Sequence, residues 1–187
     1  STENLARKGF YFAGGDYVGD PPVMGGQMYV EVWEPQEITQ PYPLVIFHGN
    51  GQTGVDWLQT PDDRAGWAYY LIEQGYVLYM VDYPARGRSA YIPGGVHGDL
   101  GIRSAEQLET IWTNVGEKGN FPLKDNHDQW PGAGHAGDPI FDNFIKTQVQ
   151  FAGQSTTMAR AAAMELLDTI GTPVILLTHS QGGGVGW

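Results

Sequence analysis

The chain contains no cysteine among its 187 residues. This absence excludes disulfide bonds, thiolate metal sites and a cysteine nucleophile. Basic residues are also scarce: 10 Lys and Arg stand against 21 Asp and Glu, so the formal net charge is −11 at pH 7. We expect no nucleic-acid partner and no anionic membrane surface, because both require basic patches.

Long apolar runs are missing too, and none approaches the roughly 18–20 residues of a membrane span. Charged residues make up 17% of the chain and aromatic residues 12%, whereas disordered chains are rich in charge and poor in aromatic residues. The length is that of about one folded domain. The start at Ser1, with no apolar leader after it, is interpreted as the processed start of an exported protein, secreted or periplasmic.

Short apolar runs alternate with helical periodicity along the chain. Strands are predicted over residues 9–12, 27–33, 43–47, 76–81 and 173–177. The last three of these runs are typical of strands buried on both faces. Helices are predicted over 62–74 and 148–170, each ended by a glycine. Strands that alternate with helices in this way predict an α/β fold with a doubly wound, mostly parallel sheet.

Residues 83–147 show little periodicity, and about 60 such residues are unusual inside a compact domain. We interpret them as a lid or substrate-binding insertion. The alternative is a long loop with short helices, such as one near 103–112. Several aromatic residues either line an apolar acyl pocket or serve as ordinary packing: Trp57, Trp112, Trp130, Phe141 and Phe144.

Residues 178–182 read Thr-His-Ser-Gln-Gly and directly follow a predicted strand. A serine on a sharp turn between a strand and a helix presents its hydroxyl, and small residues two positions before and after permit the turn. The usual first glycine is replaced here by Thr178. We predict that Ser180 is a nucleophile; the alternative is that it merely caps a helix.

Two backbone N–H groups are candidates for an oxyanion hole. The N–H of Gln181 opens the segment after Ser180 and would be the first donor. The second would come from residues 48–51, His-Gly-Asn-Gly, which follow an earlier strand. Asn50 is the best candidate there, because Gly49 is expected to let the chain turn sharply. The alternative is a plain strand-ending turn.

Together these motifs resemble the N-terminal part of an α/β-hydrolase. They are, in chain order, His48-Gly49, Gly75-Tyr76, Asp82 with Arg-Gly-Arg-Ser at 86–89, and the segment around Ser180. The chain is most similar to exported bacterial serine carboxylesterases that also read His-Ser-Gln at this position. The resemblance implies that residues 1–187 are the N-terminal part of one such domain, with a lid-like insertion at about 83–147.

The resemblance also implies a Ser–acid–His triad in that chain order, with Ser180 as nucleophile and Asn50 and Gln181 at the oxyanion hole. Only seven residues follow Ser180. We therefore expect the C-terminal remainder of the same precursor, as a second chain, to complete the sheet and supply His and acid. A histidine of the insertion is the alternative. His48 is expected to be structural, and the loop after Asp82 is expected to be held by Arg86 and Arg88.

The predicted activity is cleavage of carboxylic esters or lactones through an acyl-enzyme, without a metal or other cofactor. His127, Asp128, His135 and Asp138 are metal-ligand types, but their spacing matches no compact zinc pattern. Two alternatives stay open: a non-catalytic member of the fold that binds a ligand or partner, and a serine peptidase or amidase.

Overall fold

A computed structural model of the chain describes residues 4–94 and 96–187; Ser1 lies outside the described residues. The strands, in chain order, are β1 (Leu5–Ala13), β2 (Asp16–Val18), β3 (Val23–Gly25), β4 (Met28–Pro35), β5 (Leu44–Phe47), β6 (Leu78–Asp82), β7 (Leu100–Gly101), β8 (Phe151–Ala152) and β9 (Ile175–Thr178). The α-helices are α1 (Trp67–Glu73), α2 (Ala105–Leu108), α3 (Val115–Lys118), α4 (Pro139–Thr147), α5 (Ser155–Ile170) and α6 (Gly183–Gly186).

One five-stranded sheet organises the molecule, in the order β1-β4-β6-β5-β9. Strand β5 runs parallel to β6 and to β9, and β4 pairs antiparallel with β1 and with β6. The three parallel strands are those predicted from the apolar runs. Because parallel strands end at the same edge, the segments that follow β5, β6 and β9 are brought together there.

Alternation along β5 explains why helices cover both faces of the sheet. Val45 and Phe47 face the layer formed by α5, whereas Leu44 and Ile46 face the layer formed by α1. All four side chains are buried. Fully burying an aliphatic or aromatic side chain contributes about 1.5–3 kcal/mol, so a short strand buried on both faces is a strong organiser of the core. The predicted α/β class is confirmed.

Both predicted helices begin later than the sequence indicated. Residues 62–66 form a turn in which Asp63 has a φ of 65°, so α1 starts only at Trp67. Within residues 148–154, Phe151 and Ala152 form β8, which pairs with β7, and α5 starts at Ser155. Both helices end near the predicted glycines.

The insertion at 83–147 contains more helix than the sequence indicated. The short helix predicted near 103–112 is observed as α2 and the π-helical turn Glu109–Thr113. Helix α4 was missed, although its start is well signalled: Asp138 accepts hydrogen bonds from the backbone of Ile140 and Phe141, and Pro139 follows it.

The expectation that the strand at 173–177 is buried on both faces is wrong for the described part of the chain. Strand β9 pairs there with β5 alone, and Ile175 and Leu176 are 41% and 38% exposed. An apolar groove of about 460 Å³ runs between this edge and α1, lined by Leu44, Trp67, Tyr70, Leu71, Tyr76, Ile175 and Leu177. Within residues 4–94 and 96–187, the sheet therefore has an open apolar edge at β9.

Candidate active site

Ser180 follows β9 by one residue, His179, and is the first residue of the 3-10 helix Ser180–Gly182, which leads into α6. Its φ is 52°, in the left-handed region that costs a non-glycine residue about 1–3 kcal/mol. The residue is exposed. This is the strand–turn–helix arrangement that the sequence predicts around Ser180, and strain of this kind concentrates at functional sites.

Two glycines make room for this turn. A Cβ on Gly182 would lie 2.8 Å from the carbonyl oxygen of Phe47 and 3.1 Å from that of His48, so only glycine lets the turn approach the end of β5. Thr178 replaces the usual glycine before the serine, and the space it needs is left by Gly186, whose Cβ would lie 3.0 Å from Thr178 Cγ2. The departure from the usual pattern is thus compensated in α6.

The loop after β5 lies directly against this turn. A Cβ on Gly49 would lie 2.8 Å from His179 Nδ1, and His179 Nδ1 is 3.2 Å from Gln52 Oε1. A turn does begin at Gly49, whose carbonyl accepts from the N–H of Gln52 at 3.3 Å. The left-handed residue of this turn is Gly51, with a φ of 74°, whereas Gly49 is needed for space. Asn50 lies between them, and its loop borders the serine turn.

His48 is fully buried at the end of β5. Its Nε2 accepts a hydrogen bond from the backbone N–H of Tyr83 at 3.1 Å, so Nδ1 carries the proton and donates it to Gly49 O at 2.9 Å. Burial, the largest influence, lowers the pKa of His48 to about 4, with a further lowering from Arg86. His48 therefore ties the loop after β5 to the segment after β6, as the structural role expected for it requires.

Replacement of His48 by Gln is expected to remove part of the acid sensitivity of folding. The folded-state pKa of about 4 lies below the ordinary value near 6.5, so the unfolded chain binds the proton first. In the wild-type protein, the contribution of neutral His48 to the free energy of unfolding is therefore fully present above about pH 6.5. It falls by about 3 kcal/mol as the pH drops to 4. The glutamine can still accept from Tyr83 N–H but does not titrate.

Urea unfolding of both proteins at pH 7.5 and pH 4.5 measures this difference. Asp82, Arg86 and His179 also act on His48 and are present in both proteins, so the comparison isolates the imidazole. An equal loss of stability in the two proteins would contradict the assignment.

Arginines connect the loops at this edge of the sheet. Arg86 is fully buried and donates to Gly49 O, Ser155 Oγ and Gln181 Oε1 at 3.0, 3.0 and 2.6 Å. Arg88 instead pairs with Asp82 at 2.8 Å and with Glu31. The prediction that both arginines hold the loop after Asp82 is correct for Arg88, whereas Arg86 reaches beyond that loop.

The insertion and the segment that follows it border the loop around Asn50. Arg103 donates to Asn50 Oδ1 at 3.3 Å and lies over the rings of Trp112 and Phe151, at 5.5 and 5.9 Å from their centroids. The N–H of Val149 donates to Gly51 O at 2.8 Å. Sequence reasoning missed Arg103 and Phe151, because nothing local marks either residue as a neighbour of the loop that contains Asn50.

The other side chains predicted as pocket or metal-ligand candidates pack against neighbouring side chains or cap a helix. Phe141 is a core residue, and Trp112 and Trp130 pack against Phe144; Trp57 contacts His179. Asp138 caps α4. Across residues 4–94 and 96–187, no group of three or more His, Asp or Glu side chains is placed to hold a metal ion.

None of the histidines in the described part of the chain hydrogen-bonds to Ser180. His97 Nδ1 accepts from the backbone N–H of Ile92, His127 packs against Phe121, and His135 Nδ1 contacts its neighbour's carbonyl, Ala136 O. The alternative in which a histidine of the insertion completes a triad therefore has no contact to support it.

Comparison with known proteins gives two informative relatives, and no protein-family model matches. The chain is 41% identical over 184 residues to a probable secreted lipase, phiG, from a fungal species; the alignment covers 95% of this chain and 47% of the lipase. A solved bacterial esterase superposes with a TM-score of 0.74 and 25% identity, covering 96% of this chain and 61% of the esterase.

These likenesses confirm the predicted resemblance to bacterial esterases. The fold is of the α/β-hydrolase type and is incomplete in the described chain. The chain spans about half the length of the curated relative that it matches. No helix in the described residues is long and apolar enough to cross a membrane.

Proposed function

We propose that this chain carries the nucleophile and the oxyanion hole of an exported serine hydrolase that cleaves carboxylic esters. The observation that carries the proposal is the strained, exposed turn at Ser180, packed through Gly182 against the end of β5. The names of the two relatives, a probable secreted lipase and an esterase, support an ester substrate and export. Lactones have the same reacting group and are included.

In the proposed mechanism the Ser180 hydroxyl attacks the ester carbonyl carbon while a histidine accepts its proton. The backbone N–H groups of Asn50 and Gln181 donate to the resulting oxyanion. The tetrahedral intermediate then expels the alcohol, which takes the proton from the histidine, and water hydrolyses the acyl-enzyme by the same steps. No metal or other cofactor takes part.

The histidine and the acid are proposed to come from a C-terminal part of the same gene product, as a second chain. Two observations support this. The open apolar edge at β9 is suited to pairing with a further strand, and the curated relative is about twice as long as the stretch that matches.

The lid interpretation of residues 83–147 rests on their place beside Asn50. Arg103 and Trp112 bring the insertion to the oxyanion loop. A ligand entering towards Ser180 would pass a half-buried aromatic wall there, which suits an apolar acyl or alcohol group.

A burst experiment with p-nitrophenyl esters tests the proposed function. The full-length protein, which is this chain together with its proposed C-terminal part, is mixed with excess p-nitrophenyl butyrate. It is expected to release about one nitrophenolate per active site quickly and then to turn over steadily, because an acyl-enzyme accumulates. The corresponding p-nitroanilide serves as the control for peptidase or amidase activity. Faster cleavage of the anilide, or no cleavage of either compound, would contradict the ester assignment.

A further inference from the structure

Arg86 bridges the two halves of the candidate oxyanion hole. Its Nη1 donates to Gly49 O, on the loop after β5. Its Nη2 donates to Gln181 Oε1, on the turn after β9, and to Ser155 Oγ at the start of α5. Gly49 lies 37 residues before Arg86 in the sequence, and Gln181 lies 95 residues after it. No other described guanidinium joins the two segments.

The contact with Gly49 O bears directly on the proposed donor. The carbonyl of Gly49 and the N–H of Asn50 belong to one planar peptide group and point in opposite directions. A hydrogen bond that fixes the carbonyl therefore fixes the direction of the Asn50 N–H. His48 Nδ1 and the backbone N–H of Gln52 donate to the same carbonyl, so together with Arg86 three donors hold this peptide on its carbonyl side.

Gln181 is held in a matching way. Its Oε1 accepts from Arg86, and its Nε2 donates to Thr156 Oγ1 at 3.0 Å. The side chain is thus anchored at both ends of its amide. The backbone N–H of Gln181, the other proposed donor, is carried by the residue so anchored.

Arg86 has no acidic partner in the described part of the chain, although the whole chain is strongly acidic. The acids nearby, Asp82 and Glu31, are both paired with Arg88. Burial lowers the pKa of Arg86 to about 10, so the guanidinium stays protonated near neutral pH. A buried positive charge without a counter-ion is costly, and this one contacts the two segments whose N–H groups are proposed to bind the oxyanion.

We propose that Arg86 is a positioning residue of the oxyanion hole, which aligns the Asn50 and Gln181 donors and supplies uncompensated positive charge beside them. The inference rests on the proposed function. It predicts an effect on binding of the tetrahedral state and little effect on binding of the substrate, because the interaction grows as the oxyanion forms.

The test compares Arg86→Gln with Arg86→Lys in the full-length protein. Arg86→Gln removes the charge but can still donate one hydrogen bond, and kcat is expected to fall about 10–100-fold. Affinity for an alkyl trifluoromethyl ketone, which forms a tetrahedral adduct, is expected to fall in parallel, while KM changes less than about threefold. Arg86→Lys keeps the charge and is expected to recover part of both losses.

Arg88→Gln is the matched control, because it removes a neighbouring structural arginine that does not contact the oxyanion segments. It is expected to lower Tm while kcat and ketone affinity per active site stay near wild type. Active sites are counted in every protein with a fluorophosphonate probe, which corrects for any unfolded fraction.

Two results separate the possible failures. If the wild-type protein labels but Arg86→Gln behaves like Arg88→Gln, with a lower Tm and unchanged kcat and ketone affinity per labelled site, the Arg86 proposal alone is overturned. If the wild-type protein does not label at all, the proposed function is contradicted, and the role of Arg86 with it.

Discussion

Replacement of Ser180 by Ala is expected to lower kcat for ester hydrolysis by about 10⁴-fold or more, since removal of the proposed nucleophile would disable the proposed triad as a unit. Substrate binding should change little, because the acyl and alcohol groups are held by other side chains. The measurement is steady-state hydrolysis of p-nitrophenyl butyrate, with the folded fraction determined by circular dichroism.

Stability should move in the opposite direction when Ser180 becomes Gly. The left-handed φ of 52° at this position destabilises the folded state when the residue is serine, because of its Cβ, but not when it is glycine. Ser180→Gly is therefore expected to raise the unfolding temperature while abolishing activity. This combination is typical of a residue kept for function at the expense of stability.

A control serine distinguishes these effects from general damage. Ser104 caps α2 in the insertion through the backbone N–H of Gln107, so Ser104→Ala is expected to cost about 1 kcal/mol of stability with activity unchanged. Wild-type activity in Ser180→Ala, or equal losses in the Ser180 and Ser104 variants, would contradict the assignment of Ser180 as nucleophile.

Replacement of Asp82 by Asn is expected to destabilise the folded protein by about 3–5 kcal/mol, the usual cost of breaking a buried ion pair. Asp82 is 1% exposed. Its carboxylate accepts from Gly54 N, Arg88 N and Arg88 Nε at 2.7, 2.9 and 2.8 Å. The asparagine presents a donor where these N–H groups need an acceptor, and it leaves Arg88 with Glu31 alone.

An exposed pair of the same geometry supplies the control. Arg64 Nε lies 2.8 Å from Asp62 Oδ2, the same separation as in the Arg88–Asp82 pair, but the Arg64 and Asp62 side chains are 70% and 18% exposed against 33% and 1% for Arg88 and Asp82. Exposed pairs are screened by water and contribute little. Asp62→Asn should therefore leave urea unfolding nearly unchanged, and equal effects of the two substitutions would show that burial of Asp82 is not decisive.

The same carboxylate adds acid sensitivity. Burial, the largest influence, raises the pKa of Asp82, but the hydrogen bonds from Arg88 and Gly54 outweigh it and bring the pKa below its ordinary value. The group then contributes stability that is present above about pH 4, the ordinary aspartate value, and is lost as the pH falls further. The pH range in which Asp82 loses its contribution to stability therefore lies below the pH range in which His48 does so.

Local chemistry explains what the sequence could predict. The apolar runs of β5, β6 and β9 identify the parallel strands, and Gly182 two residues after Ser180 marks the turn where the serine is presented. Because parallel strands end at one edge, the neighbourhood of Asn50 and Gln181 follows from strand order alone.

Contacts over long sequence separations explain what was missed. Arg86 reaches Gln181 across 95 residues, and no periodicity reports such a pairing. The sequence contains one weak signal, because residues 82–89 include two arginines and a single acid. One arginine therefore lacks a local acidic partner and is expected to bind groups elsewhere in the chain. The exposure of β9 was also missed, because an apolar run of that kind predicts burial but not which element provides it.

The most direct test of the account is to map the site at which a fluorophosphonate probe reacts with the full-length protein. We predict a single adduct, located by peptide mass spectrometry on Ser180, blocked beforehand by the trifluoromethyl ketone and accompanied by loss of esterase activity. Labelling at any other serine, or full esterase activity in protein whose Ser180 is completely labelled, would contradict the account.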